Sequence, residues 1–335
     1  MRRRAALLVT PFLLLALLPG SVVAAHPRDA KAEHRAAVLA YWTPARITAA
    51  RPRDFAFDAV RGFHPDKGKP GGGGTTNVTG ASWTGGGKML VSTGKVLFTM
   101  DGSDWICSGS VVNDGGTANG RSVVLTAGHC VTDNTPNSFA TNWMFIPEFD
   151  TTATYDCVAA KWGCWVADAL YASTAFATAG GFNDTAVRND WGFARVTTGN
   201  KNGQLDATVG SFPIQYTSGL NNQVLSAFGY PAAGKYHGYD LTYCRGPLGQ
   251  DVNTGNTTWS MDCDMTGGSS GGPWVQATNT TTYADAVLSS LNSYGYSGVK
   301  KMFGPKFTTT GTQAVFNAAN AGGAPGSGVS WKDLP

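Results

Sequence analysis

After residue 25 the sequence lacks any apolar run that approaches the length of a membrane span. Its one long apolar run covers residues 5–18, too short to cross about 30 Å of hydrocarbon comfortably. Three arginines precede this run and small residues follow it at positions 23–25, which is typical of a secretory signal peptide. We therefore expect residues 1–25 to be a signal peptide, the protein to be secreted and extracellular, and no membrane to be a partner.

The sequence also lacks a basic excess outside its first quarter. Residues 1–80 contain 12 Lys and Arg against 5 Asp and Glu. Residues 81–335 contain 13 against 17, a formal charge of −4 that the overall value of +3 conceals. A basic surface is the usual indication of a nucleic-acid partner, so we expect no nucleic-acid binding.

Residues 26–80 differ in composition from the rest of the chain. Residues 28–40 are charged and rich in alanine, which predicts a short helix. Thr43 followed by Pro44 is typical of an N-cap and the first position of a second helix, which we expect to continue through Ala50.

A glycine-rich stretch follows at residues 68–80, with four consecutive glycines at 71–74, and predicts a flexible linker. We interpret residues 26–80 as a propeptide and linker, with a disordered tail as the alternative. The main body of the chain would then be residues 81–335, and the mature chain would begin between about residues 70 and 88.

From residue 81 onward, short β-type runs alternate with turns rich in Gly, Asn and Asp, and no internal repeat is visible. Many short strands with frequent turns predict an all-β sandwich or barrel. The expected strands cover residues 95–100, 108–112, 121–126, 191–196, 224–230 and 286–291, and the one late helix covers residues 311–321.

Histidine is scarce in this body, where only His129 and His237 occur. A general base that works near neutral pH is most often a histidine. His129 lies in the sequence LTAGHC, at the end of an apolar strand and next to a cysteine. His237 lies between a tyrosine and a glycine, so we interpret it as a surface or packing residue.

A candidate nucleophile lies in residues 265–273, MTGGSSGGP. Glycines allow the sharp backbone turn that aims N–H groups at a developing oxyanion. The amides of Gly268 and Ser270 are the expected oxyanion hole. Apolar residues on both sides of the loop argue against a free Gly/Ser linker.

Together, TAGHC at residues 126–130 and GSSGGP at residues 268–273 resemble the histidine and serine signatures of the trypsin/chymotrypsin family, in particular its bacterial branch that includes the glutamyl endopeptidases. The resemblance implies an all-β fold of two six-stranded antiparallel barrels of the chymotrypsin kind, with a cleft between them and here a short C-terminal helix. It also implies that His129 is the general base and Ser270 the nucleophile.

The third member of such a triad is an aspartate that orients the histidine and stabilises its cationic form. In the family this aspartate opens a strand of alternating apolar and small residues, and Asp190 in the sequence DWGFARV matches. Asp184, in a turn-like context, is the alternative, and Asp168 lies further from the pattern.

The six cysteines predict disulfides, since their number is even and the chain is expected to be exported. No Cys-x-x-Cys spacing occurs, so we expect no metal site. The resemblance implies a bond between Cys107 and Cys130. Proximity in the sequence suggests the other two pairs, which are Cys157–Cys164 and Cys244–Cys263.

In one respect the sequence departs from the trypsin pattern. Before the nucleophile it has Ser269, where trypsin-like enzymes have an aspartate that binds the new N-terminal ammonium on activation. A serine cannot form this ion pair, so the resemblance does not extend to the activation switch of trypsin.

Asp264 precedes Ser270 by six residues, the spacing at which trypsin places the carboxylate of its S1 pocket. A carboxylate there favours Arg or Lys before the scissile bond, at P1. Glutamyl endopeptidases instead use a histidine on the strand after the nucleophile, and no histidine follows His237. We therefore expect basic P1 residues first, small or apolar ones second, and Glu last. The residues expected to line the pocket are Asp264, Asn292, Ser293 and Tyr294.

The leading interpretation is a monomeric serine endopeptidase that needs no cofactor and acts on protein or peptide substrates through an acyl-enzyme. An inactive protease-like binding module is an alternative, which the complete set of candidate residues argues against. A serine esterase is another, because residues 268–272 match Gly-x-Ser-x-Gly. Esterases of that kind order their triads Ser, Asp, His, whereas the order here is His129, Asp190, Ser270.

Overall fold

The structure is a computed structural model that describes residues 27–65, 79–116, 120–136, 138–150, 156–197 and 203–335. The expected signal peptide and the four glycines at 71–74 lie outside the described residues. Among the helices in the described part of the chain, none combines the length and apolar character that a membrane crossing requires.

The described residues are mostly β-structure, with short helices at the two ends and between strands. The strands are β1 (Arg51–Pro52), β2 (Phe55–Asp58), β3 (Gly62–Pro65), β4 (Ala81–Ser82), β5 (Thr93–Met100), β6 (Ser103–Val112), β7 (Arg121–Thr126), β8 (Thr141–Pro147), β9 (Trp165–Ser173), β10 (Gly192–Thr197), β11 (Val224–Gly229), β12 (Thr242–Pro247), β13 (Gly249–Gln250), β14 (Thr258–Asp262), β15 (Pro273–Gln276), β16 (Val287–Leu291), β17 (Tyr294–Tyr296), β18 (Lys301–Pro305) and β19 (Val329–Asp333). The helices are α1 (Pro27–Tyr41), α2 (Pro44–Ala49), α3 (Gly87–Val91), α4 (Thr174–Ala177), α5 (Asp184–Arg188), α6 (Leu205–Val209) and α7 (Thr312–Ala321), with 3₁₀ turns at Gly128–Cys130 and Val252–Thr254.

The first half of the body is a closed six-stranded antiparallel barrel. Its strands follow the order β6, β5, β8, β9, β10 and β7, and β7 pairs back to β6. Apolar side chains such as Val96, Val124, Phe145 and Leu170 are fully buried. Their strands are rich in the β-branched and aromatic residues that suit a pleated, buried surface. The expected barrel of the first half is confirmed.

The second half consists of two sheets rather than one continuous ladder. One sheet has the order β16, β15, β11, β12 and β4. The other has the order β13, β14, β18 and β17, and it continues into β2 and β3, which precede the body in the sequence. A separate core of buried residues, including Leu225, Trp259, Met261 and Trp274, lies in this half. The all-β prediction is therefore confirmed for both halves.

Helix α7 is the expected short C-terminal helix. It buries Val315, Phe316 and Ala319, and the ring centroid of Phe316 lies 5.7 Å from that of Phe193 on β10. Strand β19 follows α7 and pairs with β9, and it was not predicted from the sequence.

Residues 27–65, which we call the leader segment, are folded against both halves of the body. The two expected helices are present, and the Thr43 side chain accepts a hydrogen bond from the Arg46 amide as an N-cap. Trp42 is buried and donates from Nε1 to the carbonyl of Asn142 at 2.6 Å. The strands of the leader segment were not predicted: β1 pairs in parallel with β6, and β2 pairs in parallel with β17.

All six cysteines form disulfides, in the pairs that the sequence analysis expected. The bond between Cys107 and Cys130 joins β6 to the turn that carries His129. The bond between Cys244 and Cys263 joins β12 to the chain just beyond β14, and thereby connects the two sheets of the second half.

Candidate active site

His129 and Asp190 meet in the first barrel. His129 lies in the 3₁₀ turn that follows β7, and Asp190 lies two residues before β10, the partner of β7 in the barrel. Asp190 accepts two hydrogen bonds of 2.8 Å from His129, one from the backbone N–H to Oδ1 and one from Nδ1 to Oδ2. Both side chains are fully buried, so the carboxylate fixes the orientation of the imidazole and of its turn.

A third hydrogen bond reaches Asp190 from the second half of the body. The Ser293 hydroxyl, immediately before β17, donates to Oδ2 of Asp190 at 2.5 Å. Three donors around one buried carboxylate satisfy the hydrogen-bonding needs of its negative charge, which an apolar interior would otherwise disfavour.

Ser270 lies in the loop between β14 and β15, which packs against the first barrel. The Ser108 amide donates to the carbonyl of Ser270 at 2.7 Å, and the Ser108 hydroxyl donates to the carbonyl of Gly268 at 2.8 Å. Gly271 has φ +80°, and a Cβ placed there would lie 2.2 Å from Oγ1 of Thr126. Glycine is therefore required at position 271 both by conformation and by space.

Asn292 holds this loop through hydrogen bonds, a role that was not predicted from the sequence. Its side-chain amide donates to the carbonyls of Phe228 and Ser269 at 2.9 and 3.0 Å, and its backbone carbonyl accepts from the Gly271 amide at 2.7 Å. Its Oδ1 accepts from Nε1 of Trp274 at 2.5 Å. The sequence placed Asn292 in the substrate pocket, but its side chain is used entirely to hold the loop.

In this structure the Ser270 hydroxyl donates to a carboxylate of the leader segment, Oδ1 of Asp54, at 3.1 Å. Among the residues that the structure describes, no side chain or backbone group is hydrogen-bonded to Nε2 of His129. The leader segment therefore supplies the hydrogen-bond acceptor of the Ser270 hydroxyl.

A cavity of about 700 Å³ opens beside this site. The body contributes segments 263–266 and 294–302, together with Lys235 and Tyr236, and the leader segment closes one side. Asp264 and Tyr294, two of the four residues predicted to line the substrate pocket, line this cavity. In the described part of the chain, Asn292 and Ser293 do not reach its wall.

The carboxylate of Asp264 is already hydrogen-bonded to other groups of the protein. It accepts from Nζ of Lys235 at 2.8 Å, from the Tyr236 hydroxyl at 2.5 Å and from the Gly80 amide at 2.8 Å. Burial alone would raise the pKa of Asp264, but these three donors outweigh it and hold the pKa below its ordinary value. The predicted preference for Arg or Lys at P1 assumed a free carboxylate, and this pairing removes its basis.

The other candidate residues of the sequence analysis lie elsewhere. Asp184 is exposed at the start of α5. Asp168 is buried and accepts from Nε of Arg195 at 2.7 Å and Nε of Arg121 at 3.1 Å. His237 is exposed, as expected of a surface residue.

The sulfur atoms of Cys107 and Cys130 lie within 4.8 Å of a ring nitrogen of His129, a clustering that could suggest a metal site. Both sulfurs belong to one disulfide. They are therefore not available as the thiolates that bind zinc.

Comparison with known proteins identifies related peptidases. A family model described as a trypsin-like peptidase domain matches residues 107–281. The solved structure of the protease Anisep from Arthrobacter nicotinovorans is 37% identical, with a TM-score of 0.58 over 70% of this chain and 97% of that chain. A thermostable serine protease, AL20, from an extremophilic microorganism is 35% identical, also with a TM-score of 0.58, over 70% of this chain and 100% of that chain.

A more distant solved structure, a Glu endopeptidase, is 18% identical, with a TM-score of 0.53 over 73% of this chain and 98% of that chain. At 18% identity this likeness shows a shared fold and nothing more specific. No protein of curated function gave a significant match.

Proposed function

This chain belongs to the trypsin-like peptidase family, and we propose that it hydrolyses peptide bonds with His129, Asp190 and Ser270 as its catalytic triad. Family membership rests on the domain match and on two solved proteases that are more than 30% identical, and it makes the chain a serine endopeptidase. The triad assignment is supported above all by the buried pair of His129 and Asp190, joined by two hydrogen bonds of 2.8 Å next to the loop of Ser270.

In the proposed mechanism the Ser270 hydroxyl turns toward Nε2 of His129 and attacks the carbonyl carbon of the substrate while the imidazole takes its proton. Asp190 holds the Nδ1–H tautomer and stabilises the imidazolium. The amides of Gly268 and Ser270 stabilise the oxyanion. The leaving amine takes the proton from His129 as the acyl-enzyme forms, and water then releases the acyl group by the same steps.

We also propose that the chain is secreted after removal of residues 1–25 and acts as a monomer on protein or peptide substrates. The three disulfides support export, because such bonds persist in oxidising compartments and are rare in the cytosol.

The triad is tested by Ser270→Ala, with Ser269→Ala as the matched control. Among the residues that the structure describes, the Ser269 hydroxyl donates to the carbonyl of Thr266, at 2.8 Å, so its loss should leave turnover within about tenfold of the wild type. Loss of Ser270 should reduce turnover on the order of a millionfold. Both variants are cut in the linker by the same added protease, which is then removed, so that differences in self-processing do not affect the comparison.

A fluorophosphonate probe provides the second measurement. It should label the wild type and Ser269→Ala at Ser270, and it should not label Ser270→Ala. Peptidase activity that survives in Ser270→Ala at near wild-type level would exclude Ser270 as the nucleophile.

A further inference from the structure

The leader segment crosses the cleft between the two halves of the body. Its strand β1 adds to β6 of the first barrel, with Pro52 opposite Ile106, and the Arg53 amide donates to the carbonyl of Ile106 at 3.2 Å. Two residues later β2 adds to β17 of the second half, with Phe55 opposite Tyr294. Between these two pairings lies Asp54, so the chain passes directly over Ser270.

At Ser270 the leader segment presents a side-chain carboxylate instead of a peptide bond. Oδ1 of Asp54 accepts from the Ser270 hydroxyl at 3.1 Å. A Cβ placed on Gly267 would lie 3.0 Å from the Cβ of Asp54, so the aspartate packs against the loop that carries the proposed oxyanion hole. Acylation requires a carbonyl carbon at Oγ, and a carboxylate is a poor electrophile because it already carries a negative charge.

The residues on both sides of Asp54 are buried and fix its position. Nε of Arg53 donates to the carbonyl of His129 at 2.9 Å, and a terminal nitrogen of its guanidinium lies 3.0 Å from Oδ1 of Asp133. The ring of Phe55 stacks on Phe182 with centroids 4.0 Å apart and meets the His129 ring edge-on at 5.3 Å.

Contacts made by the rest of the leader segment hold Asp54 and its neighbours in the cleft. Tyr41 and Arg46 both donate to Asp104 on β6, at 2.6 and 2.7 Å. Nζ of Lys31 lies 3.3 Å from Oδ2 of Asp168. Since the leader segment and the cleft belong to one chain, docking of Asp54 and its neighbours is intramolecular and needs no encounter between two molecules.

We propose that the leader segment is an inhibitor of this chain's own active site, and that Asp54 is the residue that blocks it by holding the Ser270 hydroxyl away from His129. The proposal rests on the proposed function of Ser270. It explains how residues 51–58 can lie across a peptidase cleft without being cut, because the group at the nucleophile is not a peptide bond.

The test measures how fast a fluorophosphonate probe labels Ser270 in the full chain, with processed and unprocessed protein separated on a gel. Asp54→Ala removes the block. Asp58→Ala is the matched control, because Asp58 lies in the same segment but its carboxylate accepts from the amides of Val60 and Arg61 and from the Arg61 side chain. Thermal unfolding of each full-length variant verifies that the leader segment remains folded on the body.

We expect the unprocessed wild type and Asp58→Ala to label slowly and the unprocessed Asp54→Ala to label at least tenfold faster, since a hydrogen bond to a charged group is lost. Equal labelling of the unprocessed wild type and Asp54→Ala, or cleavage of the chain between residues 53 and 55, would overturn the proposal. If the processed protein is not labelled either, the assignment of Ser270 fails instead, so the two failures are distinguishable.

Discussion

Lys235 should determine whether Asp264 can recognise a basic P1 residue. The two side chains form a salt bridge of 2.8 Å at the cavity beside Ser270. The side chain of Asp264 is 15% exposed and that of Lys235 is 50% exposed. An Arg or Lys substrate must therefore compete with a cation that is already part of the protein, and we expect the wild type to show little preference for basic residues.

Replacing Lys235 by Ala should expose the carboxylate to the substrate. Because half of the lysine is in solvent, the pair contributes only about 0.2–1 kcal/mol, so the change in specificity is of that order. At about 1.4 kcal/mol per factor of ten, the ratio of kcat/KM for Arg over Leu at P1 should rise by about fivefold at most.

The assay uses two peptides that differ only at P1, measured on the wild type, Lys235→Ala, Asp264→Ser and the double variant, so that the coupling is read from a double-mutant cycle. Lys301→Ala is the matched control. Lys301 also lines the cavity but pairs with Asp262 at 2.8 Å, so its loss changes the local charge equally without freeing Asp264. An Arg-to-Leu ratio that does not change in Lys235→Ala, or that changes equally in Lys301→Ala, would show that Asp264 does not face the substrate.

Three further predictions concern stability and processing. Replacing Cys107 and Cys130 together by Ala opens a loop with a sequence separation of 23 and should lower the free energy of unfolding by about 3 kcal/mol in denaturant titrations; an unchanged midpoint would contradict the loop-entropy argument. Burial lowers the pKa of Lys95 to about 7 while Nζ donates to the carbonyl of Gly238, so the unfolded state binds the extra proton between about pH 7 and 10.5, and stability should rise with pH across that window. Lys95→Met should flatten this rise and stabilise the protein at pH 6; an unchanged slope would show that another group is responsible. Mass spectrometry of the secreted protein should find a mature N-terminus between about residues 70 and 88, and an active form that begins at residue 26 would show that the leader is retained.

The parts that sequence reasoning predicted are those whose signals are local. The strand before His129 is a short apolar run, and the loop around Ser270 contains the glycines that its sharp turn requires. Both features can therefore be recognised from a few consecutive residues. Asp190 was proposed because the family resemblance implies an aspartate at the start of a strand of alternating apolar and small residues, and the sequence after Asp190 has that alternation. Short separations also made two of the disulfides predictable, since chain proximity favours pairing.

The parts that were missed depend on partners distant in the sequence. The spacing from Ser270 led to the prediction that Asp264 lines the substrate pocket, but it could not show that the carboxylate is paired with Lys235, which lies 29 positions earlier in the sequence. Asn292 carries no motif, and only the folded loop shows that its amide holds the carbonyl of Ser269. For Asp54 the separation from Ser270 is 216 positions, and nothing in its local sequence distinguishes it from a solvent-exposed aspartate.

The hydrogen bonds of Asp190 and the strand pairings of the leader segment both lie where the two halves of the body meet. Asp190 receives donors from both sides, from the His129 turn of the first barrel and from Ser293 at the start of β17 in the second half. The leader segment contacts the same two regions, because Arg53 donates from Nε to the carbonyl of His129 beside the pairing of β1 with β6, and β2 pairs with β17. A segment that adds strands to both halves ties them together while it covers Ser270. Release of the leader segment would therefore remove two strand pairings at the moment it frees the cleft, and Asp190, through its hydrogen bonds to both halves, would be left as a central contact that keeps the proposed triad aligned.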